Sequence, residues 1–339
     1  MRNITRAGLA AAAVLGAAGL PITLTGARLA NPAPHQRLMV SQARFPAPAG
    51  HRFAVLLNDD AAVIDMATGR ILRKLHPASE FLWVAAAASD RVFVLISRPP
   101  PGWLRFSVLR ISRDGRSISL RPVPLARRLH GELTGLAVSP DGTRFAVSMW
   151  PSGTGPAPSW LWEGQLPWPG RGRLWVSRAG TALNPSWAGD RRLAFGWWPA
   201  NPGRPGLRIR GLTGGQPGTP ASPLAGARMI APGTARAGGQ ITADGSAVLS
   251  MVVARDGRAR LDELAPGSGR VRRSFPLAGP ARPEARQDCA VLWASPSGRK
   301  IFTQCGQVQR LITGGHEQRV RLALIVPSAG YVGVNTFAW

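Results

Sequence analysis

An all-β fold of repeated four-stranded antiparallel units is what this sequence predicts, and three observations carry the prediction. The first is punctuation: 40 Gly and 31 Pro are spread along 339 residues, so short apolar runs end in turns everywhere. Long helices do not survive such spacing. The second is the stretch Leu133–Trp150, which reads as two strands around Ser139-Pro140-Asp141-Gly142. Leu136 and Val138 share a face before the turn; Phe145, Val147 and Met149 alternate with Arg144, Ala146 and Ser148 after it. That is a period of two, with Pro and Gly where a turn needs fixed or positive φ. The third is that turns of this kind return at a steady interval.

The chain opens with Arg2 and Arg6 ahead of an uncharged run from Ala7 to Ala27, interrupted by Pro21. A positive start, an apolar stretch and small residues near Thr25-Gly26-Ala27 fit a signal peptide within residues 1–30. An uncleaved hydrophobic anchor helix is the alternative, since 21 uncharged residues just cross a bilayer. No Cys lies near this segment to make a lipoprotein site. Either way the positive-inside rule places the remainder outside the cytoplasm, secreted or held at the cell membrane. Residues 31–50, rich in Pro and Ala, read as a flexible linker, and the globular domain occupies residues 51–339.

Within that domain, inner-hairpin turns fall at Ser89-Asp90, Asp141-Gly142, Gly189-Asp190, Asp244-Gly245 and Ser297-Gly298, at steps of 51, 49, 54 and 53 residues from Asp90. A second set alternates with them: Thr68-Gly69, Asp114-Gly115, Ala179-Gly180, Gly214-Gly215, Ser268-Gly269 and Gly314-Gly315. Two hairpins per step make four strands per repeat and six repeats. Such a period is the mark of a β-propeller, in which each small sheet buries both faces against its neighbours. The terminal Thr336-Phe337-Ala338-Trp339 looks like an opening inner strand without its partner. It is expected to complete the first repeat and pin the ring shut. Seven blades, or an open pair of β-sandwiches, are the alternatives.

Leu136–Val147, LAVSPDGTRFAV, resembles the repeat of TolB-like and WD40-like propellers; Trp187–Phe195 and Trp293–Ile301 are looser matches. The order of repeats is similar to that of uncharacterised extracytoplasmic propeller proteins of high-GC bacteria. The resemblance covers most of Phe53–Trp339 and implies a fold more than an activity. The Trp-Asp dipeptide that closes a WD40 blade is missing, so the scaffold roles of that family do not carry over.

The formal net charge is +25, but only Lys74 and Lys300 are lysines, so the basic residues are almost all arginine. The arginines are dispersed, which speaks for coding bias and a generally cationic surface rather than a nucleic-acid footprint. An acidic partner suits that surface better than nucleic acid.

One repeat is broken. From inner to outer turn the second, fourth and fifth repeats take 25, 24 and 25 residues, but Asp141 to Gly180 takes 39. The excess is expected as an insertion, Pro151–Arg171, between the second and third strands, overhanging the mouth of the ring. Eight of the 12 tryptophans fall between residues 150 and 198. Large amphipathic rings at a surface anchor partners. The candidate binding residues are therefore Trp160, Trp162, Trp168, Arg171, Arg173, Trp197, Trp198 and Arg204. The competing reading is that the tryptophans fold back and cap the mouth.

Cys289 and Cys305 flank the last inner hairpin with residue 297 at their midpoint, which sets them opposite one another, with Leu292 facing Phe302. In an exported chain that favours a disulfide, with buried free thiols as the alternative. The five histidines stand singly, and no H-x-x-H, C-x-x-C, G-x-S-x-G or nucleotide-binding glycine motif occurs. No catalytic residue, metal ligand or cofactor is assigned. Asp59, Asp60, Asp262, Glu263 and Asp288 are the carboxylates that could converge at a mouth, although turn hydrogen bonds explain such residues as well. The function expected is a non-catalytic binding or scaffold propeller for a protein or an acidic macromolecule. The alternatives are a hydrolase or lyase acting on an acidic polymer, or a membrane-tethered sensor. Oligomeric state and partner identity have no signal in the sequence.

Overall fold

The structure, a computed structural model, describes residues 53–57, 60–76, 81–99, 103–124, 129, 131–150, 158–166, 172–211, 222–233, 238–253, 258–277, 289–295, 297–305, 308–313, 316–319 and 337–338. All of these lie in the compact unit Val40–Trp339. The hydrophobic segment and linker read from residues 1–50 lie outside the described residues, and no helix among the described residues is long and apolar enough to cross a membrane.

The described strands form six four-stranded antiparallel sheets. In lateral order, sheet 1 is Phe337–Ala338, Phe53–Leu57, Ala61–Asp65 and Ile71–Leu75. Sheet 2 is Phe81–Ala86, Val92–Ser97, Arg105–Ile111 and Ile118–Val123. Sheet 3 is Glu132–Val138, Arg144–Trp150, Ser159–Gln165 and Arg173–Ser177. Sheet 4 is Gly180–Ala188, Arg192–Pro199, Gly206–Gly211 and Arg228–Pro232. Sheet 5 is Gln240–Ile241, Val248–Val253, Ala259–Leu264 and Val271–Leu277. Sheet 6 is Cys289–Ala294, Lys300–Cys305, Val308–Thr313 and His316–Arg319.

Sheet 1 is composite. Its first strand comes from the far end of the chain, with Ala338 opposite Val55 and Phe337 opposite Leu56. The sequence reading of a closing strand is met in this pairing. Phe337–Ala338 also touches Phe81–Ala86 of sheet 2 and Cys289–Ala294 of sheet 6. From sheet 2 onward the first strands touch in turn, Phe81–Ala86 with Glu132–Val138, then Gly180–Ala188, then Gln240–Ile241. Val248–Val253 of sheet 5 reaches Cys289–Ala294. The contacts thus pass from sheet to sheet and return to the beginning.

Burial follows the same circuit, because each apolar cluster spans two adjacent sheets. Phe53 and Val55 pack with Phe93 and Leu95; Val94 and Phe106 with Phe145 and Val147; Leu161 and Trp175 with Leu193 and Phe195. Ala194 and Leu207 pack with Val248 and Leu264, and Leu249 and Leu261 with Val291 and Ile301. A strand covered on both faces loses the alternation of a half-buried one, and Val92–Ser97 is buried at every position. The outer strands of sheets 2, 4 and 5 carry Pro122, Pro232 and Pro276, each lacking the N–H that would recruit another edge.

The first strands share a device that the sequence does not announce. Sheets 2, 3, 4 and 6 each shift register there, between Phe81 and Trp83, Leu133 and Gly135, Leu183 and Ser186, and Val291 and Trp293. A bulge adds local twist, and residues at or beside it reach the next sheet. Thr134 Oγ1 donates to Ser148 Oγ at 2.8 Å and lies 3.3 Å from the Ala182 carbonyl of sheet 4. Ser186 Oγ accepts from Ile241 N of sheet 5 at 3.1 Å.

Gly135 lies where the first strands of sheets 3 and 4 approach closely. A Cβ there would meet Pro185 and come within 2.7 Å of Asn184 Cα, which is backbone and cannot swing aside. Gly135→Ala is expected to destabilise by at least about 1–3 kcal/mol, the range for overpacking. The urea midpoint measures it, and an unchanged midpoint would show that the two strands have room to part.

Candidate functional site

Because strands alternate direction, each sheet shows its hairpin turns at one end and its second-to-third loop and outgoing connection at the other. At the turn-bearing end the acidic side chains are already engaged. Asp90, held at φ 51°, accepts from Phe53 N of sheet 1 through Oδ2 at 2.8 Å. Asp190 Oδ1 accepts from Asp141 N of sheet 3 at 3.0 Å. Asp141 itself accepts from Thr143 N at 2.9 Å and from Thr143 Oγ1 at 2.6 Å, and Asp244 accepts from Thr242 Oγ1 at 2.7 Å. Burial works to raise both carboxyls, but these hydrogen bonds outweigh it and hold Asp141 and Asp244 below the ordinary carboxylate range. They stitch turns together; Gly142 and Gly245, at φ 71° and 74°, complete the same turns.

The loop-bearing end has a different character. Over sheets 2 to 4 its described charged residues are Arg98, Arg105, Arg178 and Arg204, all exposed, against the single acid Glu132. Among the described residues the exposed large aromatics are Trp150 and Trp198, at 48% and 47%. Each is the seventh residue of its sheet's second strand, counted from Arg144 and Arg192. Arg98 holds the same place in sheet 2, just past Val92–Ser97, since Ala87 N to Val92 O closes that turn as Ser139 N to Arg144 O closes the next. Arg98 Nη2 donates to the Gly131 carbonyl at 2.7 Å, which holds it across the connection to sheet 3. Three adjacent sheets therefore present Arg98, Trp150 and Trp198 in equivalent positions.

The structure corrects the expected insertion. Pro151–Arg171 is not one loop, because Ser159–Gln165 is the third strand of sheet 3, paired with Arg144–Met149. The outer hairpin lies between Gln165 and Arg173, and Ala179-Gly180 marks the entry into the first strand of sheet 4. Gly180 is a glycine for a packing reason, since a Cβ there would meet Trp197 at 2.6 Å and Pro199 Cα at 2.8 Å.

The candidate tryptophans accordingly divide. Trp162 is 8% exposed, with its ring centroid 4.9 Å from Phe145 edge-on and 6.0 Å from Phe106. Trp197 is likewise buried between sheets 3 and 4, while its neighbour Trp198 points the other way to solvent. Trp160 is half-buried against the cluster of sheets 2 and 3, and Arg173 is half-buried opposite Glu163. Arg204 is exposed in the loop leading to Gly206–Gly211, whereas Trp168 and Arg171 lie outside the described residues. Trp150 and Arg98 are exposed residues of this end that composition alone does not single out. The available signal was position, at the end of an apolar second strand where burial stops.

Other candidate groups are dispersed or structural. Asp60 pairs with His76 at 2.9 Å in sheet 1, and Asp262 takes bonds from Arg260 and Ser274 at 3.0 and 2.8 Å in sheet 5, so they share no site. Among the described residues no cluster of three or more His, Cys, Asp or Glu side chains could hold a metal ion. Glu163 is buried in sheet 3 with Oε1 2.9 Å from Arg144 Nη1. Burial pushes its carboxyl above the ordinary range against the pull of Arg144 and Arg173. Across the interface the Arg210 guanidinium lies 4.4 Å over the Trp175 ring. Cys289 and Cys305 are direct register partners as expected, but a bulge moves Phe302 from Leu292 to Trp293.

No known family profile matches the chain, and no curated protein matches it by sequence. Solved structures do match. TolB from Acinetobacter baumannii is 11% identical with a TM-score of 0.50, over 80% of this chain and 64% of that one. The fold is that of a β-propeller. The β-propeller domain of Myceliophteria thermophila Cps50 (Swd1) is 14% identical with a TM-score of 0.48, over 80% and 82% of the two chains. Prolyl oligopeptidase B from Galerina marginata is 12% identical with a TM-score of 0.49, over 80% of this chain and 40% of that one. At these identities the likeness concerns the propeller fold alone, and this chain spans less than two thirds of the TolB chain.

Proposed function

We propose that this chain is a non-catalytic binding propeller, a closed ring of six blades exported from the cytoplasm, that recognises a protein partner through its loop-bearing end. One observation carries the reading: Trp150 and Trp198 stay exposed at equivalent positions of neighbouring sheets, although Trp162, Trp175, Trp187 and Trp197 are buried and Trp83, Trp103 and Trp160 are partly so. Leaving two such rings in water forgoes apolar burial at a place where folding gains nothing from it, and Trp is a residue that dominates interface energetics. The circuit of sheet contacts that returns through Phe337–Ala338 supports the closed ring. The Arg2/Arg6 start and apolar run support export, with residues 1–30 as signal or anchor. Opposed Cys289 and Cys305 support a disulfide, read as an intact mass that rises on reduction.

The test is crosslinking in intact cells followed by recovery of the chain from the envelope. The wild type is expected to carry a partner, and the Trp150→Ala/Trp198→Ala variant to lose it while keeping its urea midpoint. Retention of the partner by that variant, or recovery of the chain in the cytoplasm with an unprocessed, unanchored start, overturns the reading.

A further inference from the structure

The two ends of the propeller differ in electrostatics, and the difference specifies the partner. At the turn-bearing end acids and arginines are mixed, with Asp90, Asp141, Asp190 and Asp244 among Arg91, Arg191 and Arg192. At the other end, over sheets 2 to 4, four exposed arginines stand against Glu132. Arginine forks pair with carboxylates in bidentate geometry, so an end that shows four arginines and one acid attracts anions. Charge alone does not distinguish a polymer of acidic sugars from an acidic protein. The tryptophans add two large apolar surfaces to the same row, which apolar side chains of a protein fill and on which sugar rings also stack, so an acidic polysaccharide is the competing probe.

Arg98, Trp150 and Trp198 occupy one position in three consecutive sheets, so the row runs from sheet to sheet across the end of the propeller. Arg204 stands beyond Trp198 in the same sheet's loop, and Arg105 and Arg178 flank the row on third-strand and fourth-strand ends. An occupant matching this pattern is extended, crosses several sheets, and alternates carboxylates with apolar side chains. We propose that the loop-bearing end of sheets 2 to 4 binds an extended acidic protein segment, with Trp150 and Trp198 burying its apolar side chains and Arg98, Arg105, Arg178 and Arg204 pairing its carboxylates. This rests on the binding reading above and adds the class of partner. Electrostatic complementarity of this kind speeds encounter and rejects basic partners, while the buried rings govern residence.

The experiment titrates full-length protein with labelled soluble peptides by fluorescence anisotropy at two salt concentrations. One peptide alternates Glu with Leu and Trp, one replaces each Glu by Gln, and one is Glu only; polygalacturonate and phosphatidylglycerol vesicles are the competing probes. The alternating peptide is expected to bind, weakening with salt, and its Gln counterpart to bind at least about tenfold more weakly. Trp150→Ala/Trp198→Ala is expected to lose about tenfold or more toward the alternating peptide but little toward Glu alone. Arg105→Gln/Arg178→Gln/Arg204→Gln is expected to flatten the salt dependence. Tighter binding of polygalacturonate or vesicles, no preference for acidic over Gln peptide, or indifference to both variants overturns the proposal. If the peptides fail while the tryptophan variant still loses its partner in cells, the class of partner is wrong and the binding face stands. If that variant keeps the partner, the face itself is wrong.

Discussion

Replacing Trp162 with alanine is expected to destabilise the fold by about 3–5 kcal/mol, the range for removing a large buried ring. Its indole is wedged between Phe106 of sheet 2 and Phe145 of its own sheet, whose rings are themselves 5.6 Å apart, so the three form one aromatic junction between adjacent blades. Gly164 and Gly172 make room for it: a Cβ on Gly172 would fall 2.8 Å from the Trp162 indole nitrogen. Deleting the indole leaves a void bounded by strands of two sheets, and strands in ladders do not collapse to fill it. Trp198→Ala, at a half-exposed site, is expected to shift stability by no more than about 0.5 kcal/mol. Urea midpoints of the two variants give the comparison directly. A small loss at Trp162, or a large one at Trp198, would reverse their assignment as core and surface.

That contrast also shows what the sequence could and could not reveal. The turns were legible because Asp-Gly pairs and positive φ leave a chemical trace, as at Gly142 and Gly245. The closing strand was legible because Phe337-Ala338 has an inner strand's composition and no hairpin partner of its own. The third repeat misled for a physical reason. Gly180 has the letter of a turn residue, but it is there because Trp197 and the backbone near Pro199 crowd its Cα. Pro167-Trp168-Pro169-Gly170, between the third and fourth strands, held the better turn signal. The bulges left no trace, since Thr134 and Leu292 are ordinary strand residues and only the ladder reveals the extra one. For the tryptophans, composition gave the number but not the direction. Trp197 and Trp198 are adjacent, and strand parity sends one into the core and the other into solvent.

The second large effect is expected at Arg144, whose guanidinium is the hydrogen-bonded cation of the buried Glu163 carboxylate. Arg144→Ala strips the hydrogen-bonded cation from a carboxylate that is 1% exposed in the native fold and leaves Arg173 of the same sheet to attract it, a change that costs about 3–5 kcal/mol. The loss should depend on pH in a definite direction. A carboxyl whose folded pKa lies above its ordinary 4.5 holds its proton more tightly in the native state, so stability falls as pH rises through that window. Removing Arg144 raises the folded value further, widening the window toward neutrality and steepening the slope. The variant is therefore expected to recover part of its loss when the pH is lowered from neutral toward the ordinary carboxylate range, whereas wild type changes less. Adding Glu163→Gln to Arg144→Ala should restore most of the stability and remove the extra slope, because the amide carries no charge to desolvate. Urea midpoints at the two ends of that range decide it. A loss below about 1 kcal/mol, or one that the Gln change fails to repair, would mean that the ion pair merely decorates the interface between sheets 3 and 4. A repaired loss would mean that the carboxylate is held charged inside the fold at a cost that Arg144 offsets.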